Sequence, residues 1–282
     1  MSGLPTRELT PLIGSEVRAD LDDLASGTLA GELHDLLIER GVIVFRDLEI
    51  TLDQQRAITA TLGPIQPDEA GGELQKVTID EKESAEYAAY FANTLLWHMD
   101  GYHSQTVPCF GGSFPPMRLP PSGGETEFLN TYAAYEGLEE SDKNLVDRLD
   151  VVYSAVTVGL AAIPDATDDQ LAAWRRRPPA TQPLIWQHES GRKSLMLGTA
   201  ISHVVGMHPA ESYDLLCKLR SHINRPEYIY RHTWRTNDLL IWNNTGTMHR
   251  ARPFDPECGR LLHRFTLVGT ERIRAPSRGA TG

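Results

Sequence analysis

Three side chains define the chemistry this sequence can support. His98 and Asp100 stand in WHMDGYH at 97–103, and His249 stands in WNNTGTMHRARPFD, which begins at Trp242. On a strand, positions two apart point to the same face, so His98 and Asp100 can reach one ion together. Two imidazoles and a carboxylate form the facial triad that holds non-haem ferrous iron and leaves coordination positions for a bidentate 2-oxo acid and O2. The same donors suit a zinc hydrolase, so ligand types alone leave the metal open. A non-catalytic binding protein is a third class.

Further groups accompany the triad. Arg260 lies eleven residues beyond His249, where a strand over Leu261–Val268 begins. A guanidinium grips a carboxylate with two parallel hydrogen bonds, which suits the far end of a 2-oxo diacid. Arg264 is four residues further on and shares a strand face with Arg260, whereas His263 faces the other way. Thr126 in SGGETEF, after a tight turn at Gly123-Gly124, offers a hydroxyl to the same carboxylate.

The elements that must position these groups read as follows. Residues 15–41 suggest a helix with Leu29, Leu33, Leu36 and Leu37 on one stripe, stopped by Gly41. Val42–Phe45 is a short buried strand. Thr51 and Gln54 form a capping box before a second helix that ends near Gly63-Pro64. Weak periodicity and Gly71-Gly72 suggest a long loop, a candidate lid, over 66–95. Residues 95–135 read as short strands and turns, and 136–150 as helix. Residues 164–184 run acidic, then basic, then Pro-rich, and form a surface insertion in which Arg175, Arg176 and Arg177 lie on a solvated loop. Pro209 opens a helix with Leu215, Leu216, Leu219 and Ile223 on one face. Tyr228–Trp234, Leu239–Trp242 and Leu261–Val268 are strands. Many short strands with a few helices indicate a mainly β sandwich or barrel with flanking helices.

Composition narrows the partners. The 282 residues carry 27 Lys plus Arg and 38 Asp plus Glu, a net charge of −11, which argues against nucleic-acid binding. The longest apolar stretch, Ala155–Ile163, is far short of the roughly 20 residues of a membrane span. The three cysteines, Cys109, Cys217 and Cys258, lack metal or redox-motif spacing, and the N-terminal residues lack the apolar core of a secretory signal. A reducing cytoplasm is the expected compartment.

With these residues in place, the chain resembles the TauD/TfdA family of Fe(II)- and 2-oxoglutarate-dependent dioxygenases. The resemblance is carried by GVIVFRDLEITLDQQRAITATLGPI at 41–65, WHMD at 97–100, PPSGGETEFLNTYAAYEGL at 120–138, NRPEYIYRHTWRTNDLLIWNNTGTMHRARPFD at 224–255 and GRLLHRFTLVG at 259–269. It implies one domain over 1–282 with a double-stranded β-helix, a cupin-like jelly roll. It implies that His98, Asp100 and His249 hold iron, that Thr126 and Arg260 hold the distal carboxylate of 2-oxoglutarate, and that Trp242 and Asn244 are structural. Arg264 matches a position that meets an anionic substrate, which implies a sulfonate, sulfate ester or carboxylate. Tyr102, His103, Thr199 and Met99 fall where substrate contacts are made, and Tyr102, His103 and Thr199 depart from the residues of the taurine enzyme. The implied reaction hydroxylates a C–H bond with O2 and yields succinate and CO2. A homo-oligomer, dimer or tetramer, is implied as well.

Overall fold

The computed structural model describes residues 4–68, 71–102 and 106–277. Val42–Phe45 is buried at all four positions because it lies in the middle of a large sheet covered on both faces. The strand order of that sheet is Thr6–Glu8, Ser15–Val17, Val42–Phe45, Leu239–Asn243, Gly111–Phe114, Leu261–Leu267 and Gln75–Thr78, with Pro116–Arg118 also paired to Leu261–Leu267. A smaller sheet runs Ile229–His232, Thr126–Asn130, Thr247–Ala251. Period-2 alternation sends Val42 and Val44 inward and Ile43 and Phe45 outward. Inward side chains of the large sheet, including Phe114, Leu240, Trp242 and Leu262, share one buried cluster with Phe128 and Tyr230 of the smaller sheet. The two sheets thus close on a common core as a jelly roll.

Outward side chains Ile43, Phe45, Leu239 and Ile241 pack against Leu24, Leu33, Leu37 and Ile58. These come from helices Leu21–Ser26, Ala30–Arg40 and Leu52–Thr61. The capping box at Thr51 and Gln54 forms in both directions. Helix Pro209–Ile223 buries Leu216, Leu219 and Ile223 in a third cluster that also contains Trp97, Met99 and Tyr102. No helix among the described residues is long and apolar enough to cross a membrane.

Several expectations need correction. Residues 66–95 are not one loop: they contain strand Gln75–Thr78 and helix Glu81–Thr94. The strand takes its register from Leu261–Arg264, far away in sequence, and so has no local signature. The helix is interrupted at Ser84, with φ −159° and ψ 87°, which spoils its periodicity. Residues 15–41 hold strand Ser15–Val17 and two helices, broken at Gly27, where φ is 79°. The helix expected over 136–150 is confined to Glu140–Val146, and Asp150–Tyr153 is a strand. The 164–184 segment is ordered by helix Asp168–Arg175, with its own capping box at Thr167 and Gln170, and by strand Ala180–Pro183 paired to Asp150–Tyr153. Arg175 therefore ends a helix and is not a loop residue. Tyr228 closes a short 3-10 turn before strand Ile229–His232. Finally, His249 lies within strand Thr247–Ala251, whose polar sequence gave no strand signal.

Candidate active site

His98 and His249 face each other across a single antiparallel bridge. The His98 N–H donates to the His249 carbonyl at 3.1 Å, and the His249 N–H returns a bond to the His98 carbonyl at 2.8 Å. Residues opposed in this way send their side chains to one side, and the ring centroids are 4.3 Å apart. His98 and Asp100 do not share a regular strand, as the two-residue spacing suggested: only His98 is bridged, and Asp100 begins a turn. The turn still delivers the carboxylate. Asp100 Oδ1 lies 4.0 Å from His98 Nε2, and Oδ2 lies 3.6 Å from His249 Nε2. One ligand atom from each residue lies within 4.8 Å of the others, a group one ion can bridge.

Local bonding suits a metal of nitrogen and oxygen preference. His98 Nδ1 lies 2.7 Å from the Leu96 carbonyl, so that nitrogen carries the proton and Nε2 keeps its lone pair toward the centre. His249 Nδ1 is buried with no hydrogen-bond partner among the described residues. The donor set contains no thiolate: the Cys109 thiol nearby is pushed up to about 12 by burial and by Asp100, and stays protonated.

Arg264 donates to Asp100 Oδ2 at 2.7 Å while its guanidinium lies 5.1 Å from the centroid of the Trp242 ring. Burial works to raise the Asp100 pKa, but Arg264, then His249 and His98, outweigh it and hold the carboxylate well below its usual range. Burial, reinforced by His98, pushes His249 down to about 3. The sign of the consequence is definite. Between about pH 3 and 6.5 the unfolded chain protonates this imidazole and the folded chain does not, so stability falls as pH falls through that window. Thermal unfolding of the metal-free protein should show Tm dropping from pH 6.5 toward pH 4, with a smaller slope in His249→Leu.

A cavity of about 60 Å³ is lined by His98, Asp100 and His249 together with Thr126, Arg260 and Arg264. Arg260 and Arg264 therefore share a face, as their spacing required. Arg260 is 2% exposed, donates to the Gly124 carbonyl at 3.2 Å and lies over the Phe254 ring. Thr126 Oγ1 accepts from the Trp234 indole at 3.1 Å, which leaves the hydroxyl proton available to a ligand oxygen. Val77 and Thr94, from the segment taken for a loop, line the same cavity.

A second cavity of about 40 Å³ also touches His98 and is otherwise lined by uncharged residues, among them Met99, Tyr102, Tyr153, Met196, Thr199 and Met248. The structure thus brings Tyr102 and Thr199 beside the ligands. The Tyr102 hydroxyl donates to the Pro183 carbonyl at 2.8 Å, fixing the ring. His103 lies outside the described residues. A separate cavity of about 630 Å³, bounded by Val17, Phe45, Leu48 and a mixture of charges, holds none of these groups.

Further side chains hold the ligand residues in place. Asn244, read as merely structural, clamps the backbone of the ligand residue: its Oδ1 accepts from the Asp100 N–H at 3.0 Å and its Nδ2 donates to the Asp100 carbonyl at 3.0 Å. Trp97 and Arg250 flank the bridged histidines, and the guanidinium lies 4.3 Å from the indole centroid. Arg250 is held in turn by Glu127, which is 3% exposed at its side chain and also receives Arg231. The opposite signs at 127, 231 and 250 were visible, but only the strand register makes them neighbours.

Comparisons with known proteins identify the family. Residues 5–266 match the family described as taurine catabolism dioxygenase TauD, TfdA family. An alpha-ketoglutarate-dependent 2,4-dichlorophenoxyacetate dioxygenase of Cupriavidus pinatubonensis is 31% identical over 92% of this chain and 96% of that protein. An (S)-phenoxypropionate/alpha-ketoglutarate-dioxygenase of Sphingobium herbicidovorans is 30% identical over 89% of this chain and 88% of that protein. A crystal structure of AAD-2 with Mn(II) and N-oxalylglycine superposes with a TM-score of 0.79 at 28% identity, covering 96% of this chain and 99% of that one. These relatives do not support the zinc-hydrolase or the non-catalytic reading. The match over residues 5–266 places the chain in this family: it is a TauD/TfdA dioxygenase that uses Fe(II), 2-oxoglutarate and O2.

Proposed function

We propose that the substrate is a small organic anion with an apolar body, a carboxylate in preference to a sulfonate or sulfate ester. The observation that carries this reading is the pair of cavities meeting at His98, one holding Arg260 and Arg264 and the other lined by methionine and aromatic side chains. The two relatives reported above are named for a phenoxyacetate and a phenoxypropionate, which favours the carboxylate, although other relatives are named for sulfate esters.

His98, Asp100 and His249 hold the iron in this reading, and Arg260 and Thr126 take the distal carboxylate of 2-oxoglutarate. When bound, the iron and 2-oxoglutarate supply oxidation of a C–H bond by O2, coupled to release of succinate and CO2. The rest is the work of the chain. Arg264 keeps Asp100 ionised and presents a cation to the substrate anion. Met99, Tyr102 and Thr199 enclose the apolar body, exclude water and fix which C–H faces the metal. The segment 66–95, which contributes Val77 and Thr94, closes the site. The residues 1–282 act as one catalytic domain, in the cytoplasm, as a homo-oligomer.

The test is succinate formation with Fe(II), 2-oxoglutarate and air, comparing aryloxy carboxylates with alkyl sulfonates and alkyl sulfates. The aryloxy carboxylates should give the highest kcat/KM, and Arg264→Leu should lower it more than it weakens 2-oxoglutarate binding. A preference for sulfonates, or for substrates without an apolar body, would refute the assignment.

Gly124 provides a second check. Its φ is 74°, and a Cβ there would lie 3.2 Å from Arg260 Nε and 2.8 Å from Pro120 Cγ. Gly124→Ala must displace Arg260 or strain the turn. The expected result is a KM for 2-oxoglutarate raised about tenfold, equivalent to about 1.4 kcal/mol, with kcat at saturating 2-oxoglutarate much less affected.

A further inference from the structure

We propose that Trp234 is a positioning residue for the cosubstrate: its indole N–H turns the Thr126 hydroxyl proton toward the distal carboxylate of 2-oxoglutarate. This rests on the roles given above to Thr126 and Arg260 and adds the side chain that acts behind the first of them.

Thr126 opens the middle strand of the smaller sheet, paired to His232 on one side and to Ala251 on the other. It is 6% exposed and lines the cavity that holds the three metal-binding side chains and Arg260. A threonine hydroxyl carries one proton and two lone pairs, and the proton rotates to suit its neighbours. An indole nitrogen only donates. Trp234 Nε1 lies 3.1 Å from Thr126 Oγ1, so it takes one lone pair, and a hydroxyl proton turned that way would meet another proton. The hydroxyl is thereby confined to directions away from Trp234. Trp234 itself does not line the cavity, whereas Thr126 does. Indole, hydroxyl and carboxylate then form a chain in which each group donates to the next, and the members of such a chain polarise one another. Fixing the rotor in advance also spares part of the ordering cost of binding.

The indole is held in its turn. Trp234 lies two residues past the end of strand Ile229–His232, so packing and not the ladder sets its ring. The ring meets His232 edge-on with centroids 4.3 Å apart, and Phe114 edge-on at 6.3 Å. His232 is fully buried, with Nδ1 2.9 Å from the Tyr230 hydroxyl and Nε2 3.2 Å from Asp238 Oδ2. Asp238, fully buried as well, accepts from the Arg46 guanidinium and from the Arg235 N–H. A line of fixed side chains thus runs from Arg46 to the cosubstrate pocket, and no step named above uses it. Trp234 acting as core filling alone would contribute to stability and leave 2-oxoglutarate affinity independent of the Thr126 hydroxyl.

The experiment is anaerobic titration of the full chain with Fe(II) and then 2-oxoglutarate, followed by the visible band, which reports binding and not turnover. Trp234→Phe keeps an aromatic ring and loses the N–H. Its Kd for 2-oxoglutarate should rise about threefold to tenfold, the span of one hydrogen bond, while iron affinity without 2-oxoglutarate stays at the parent value. In a Thr126→Val background no hydroxyl remains to be turned, and the same substitution should change Kd by about twofold at most. In a Thr126→Ser background the full shift should return. Where the smaller ring loosens the core, 3-benzothienylalanine in place of Trp234 keeps the bicyclic shape, removes the N–H and should reproduce the shift. Equal Kd in the parent and in Trp234→Phe, with or without a lower Tm, would overturn the proposal. So would an equal shift in the valine background, because Trp234 would then act by packing. A Thr126→Val protein that binds 2-oxoglutarate as tightly as its parent would overturn the Thr126 assignment and the role of Trp234 together. A weakened Thr126→Val protein beside an unchanged Trp234→Phe protein would overturn the role of Trp234 alone.

Discussion

Replacement of His249 by alanine should abolish the visible absorption band that forms when ferrous iron and 2-oxoglutarate are added anaerobically, and with it succinate formation. His249 supplies one of three donors grouped within 4.8 Å, and no other His, Cys, Asp or Glu among the described residues joins that group. Loss of a residue that only orients a ligand costs about 10–100-fold in metal affinity or activity. Loss of the ligand itself should exceed that range. Asn244→Ala offers the graded comparison: it removes the clamp on Asp100 while leaving every donor in place, and should fall within about 10–100-fold. Iron titration and single-turnover succinate yield measure both. A His249→Ala protein that still binds iron as tightly as its parent would refute the triad.

The second large effect is expected at Arg260. Arg260 is buried at 2% exposure and lines the same cavity as His98, Asp100, His249 and Thr126. Truncating one partner of a buried charge pair costs about 2–5 kcal/mol. Arg260→Ala should therefore raise the KM for 2-oxoglutarate by about a hundredfold or more, because the distal carboxylate would enter a dry pocket without a cation. Arg260→Lys keeps the charge but loses the two-pronged geometry and should fall between the two. Iron affinity without 2-oxoglutarate should barely move, which separates this variant from His249→Ala. Unchanged 2-oxoglutarate affinity in Arg260→Ala would remove this residue from the cosubstrate site.

Much of the site was legible because its chemistry depends on residue type and spacing. Arg260, just before strand Leu261–Leu267, and Arg264 within it line one cavity, as their four-residue spacing suggested. The His98 and Asp100 pair was read correctly for the wrong reason, since a turn and not a strand aims the carboxylate. Elements set by distant partners were not legible. Gln75–Thr78 is a strand because Leu261–Arg264 lies beside it, and Thr247–Ala251 is one because it lies along Thr126–Asn130. Neither carries the alternation that a local reading needs. Asn244 shows the same limit in a single residue: it sits in a recognisable motif, but its bonds to Asp100 span 144 positions.

The bridge between His98 and His249 also sets an order of assembly. The two residues belong to segments separated by half the chain, and closing so long a loop carries an entropic cost before any contact across it forms. The unfolded polypeptide therefore offers iron only scattered, weak donors. The metal arrives after the sheets have closed, so cells short of iron should accumulate a folded, empty enzyme that can be charged later, and the iron then deepens the native state by mass action.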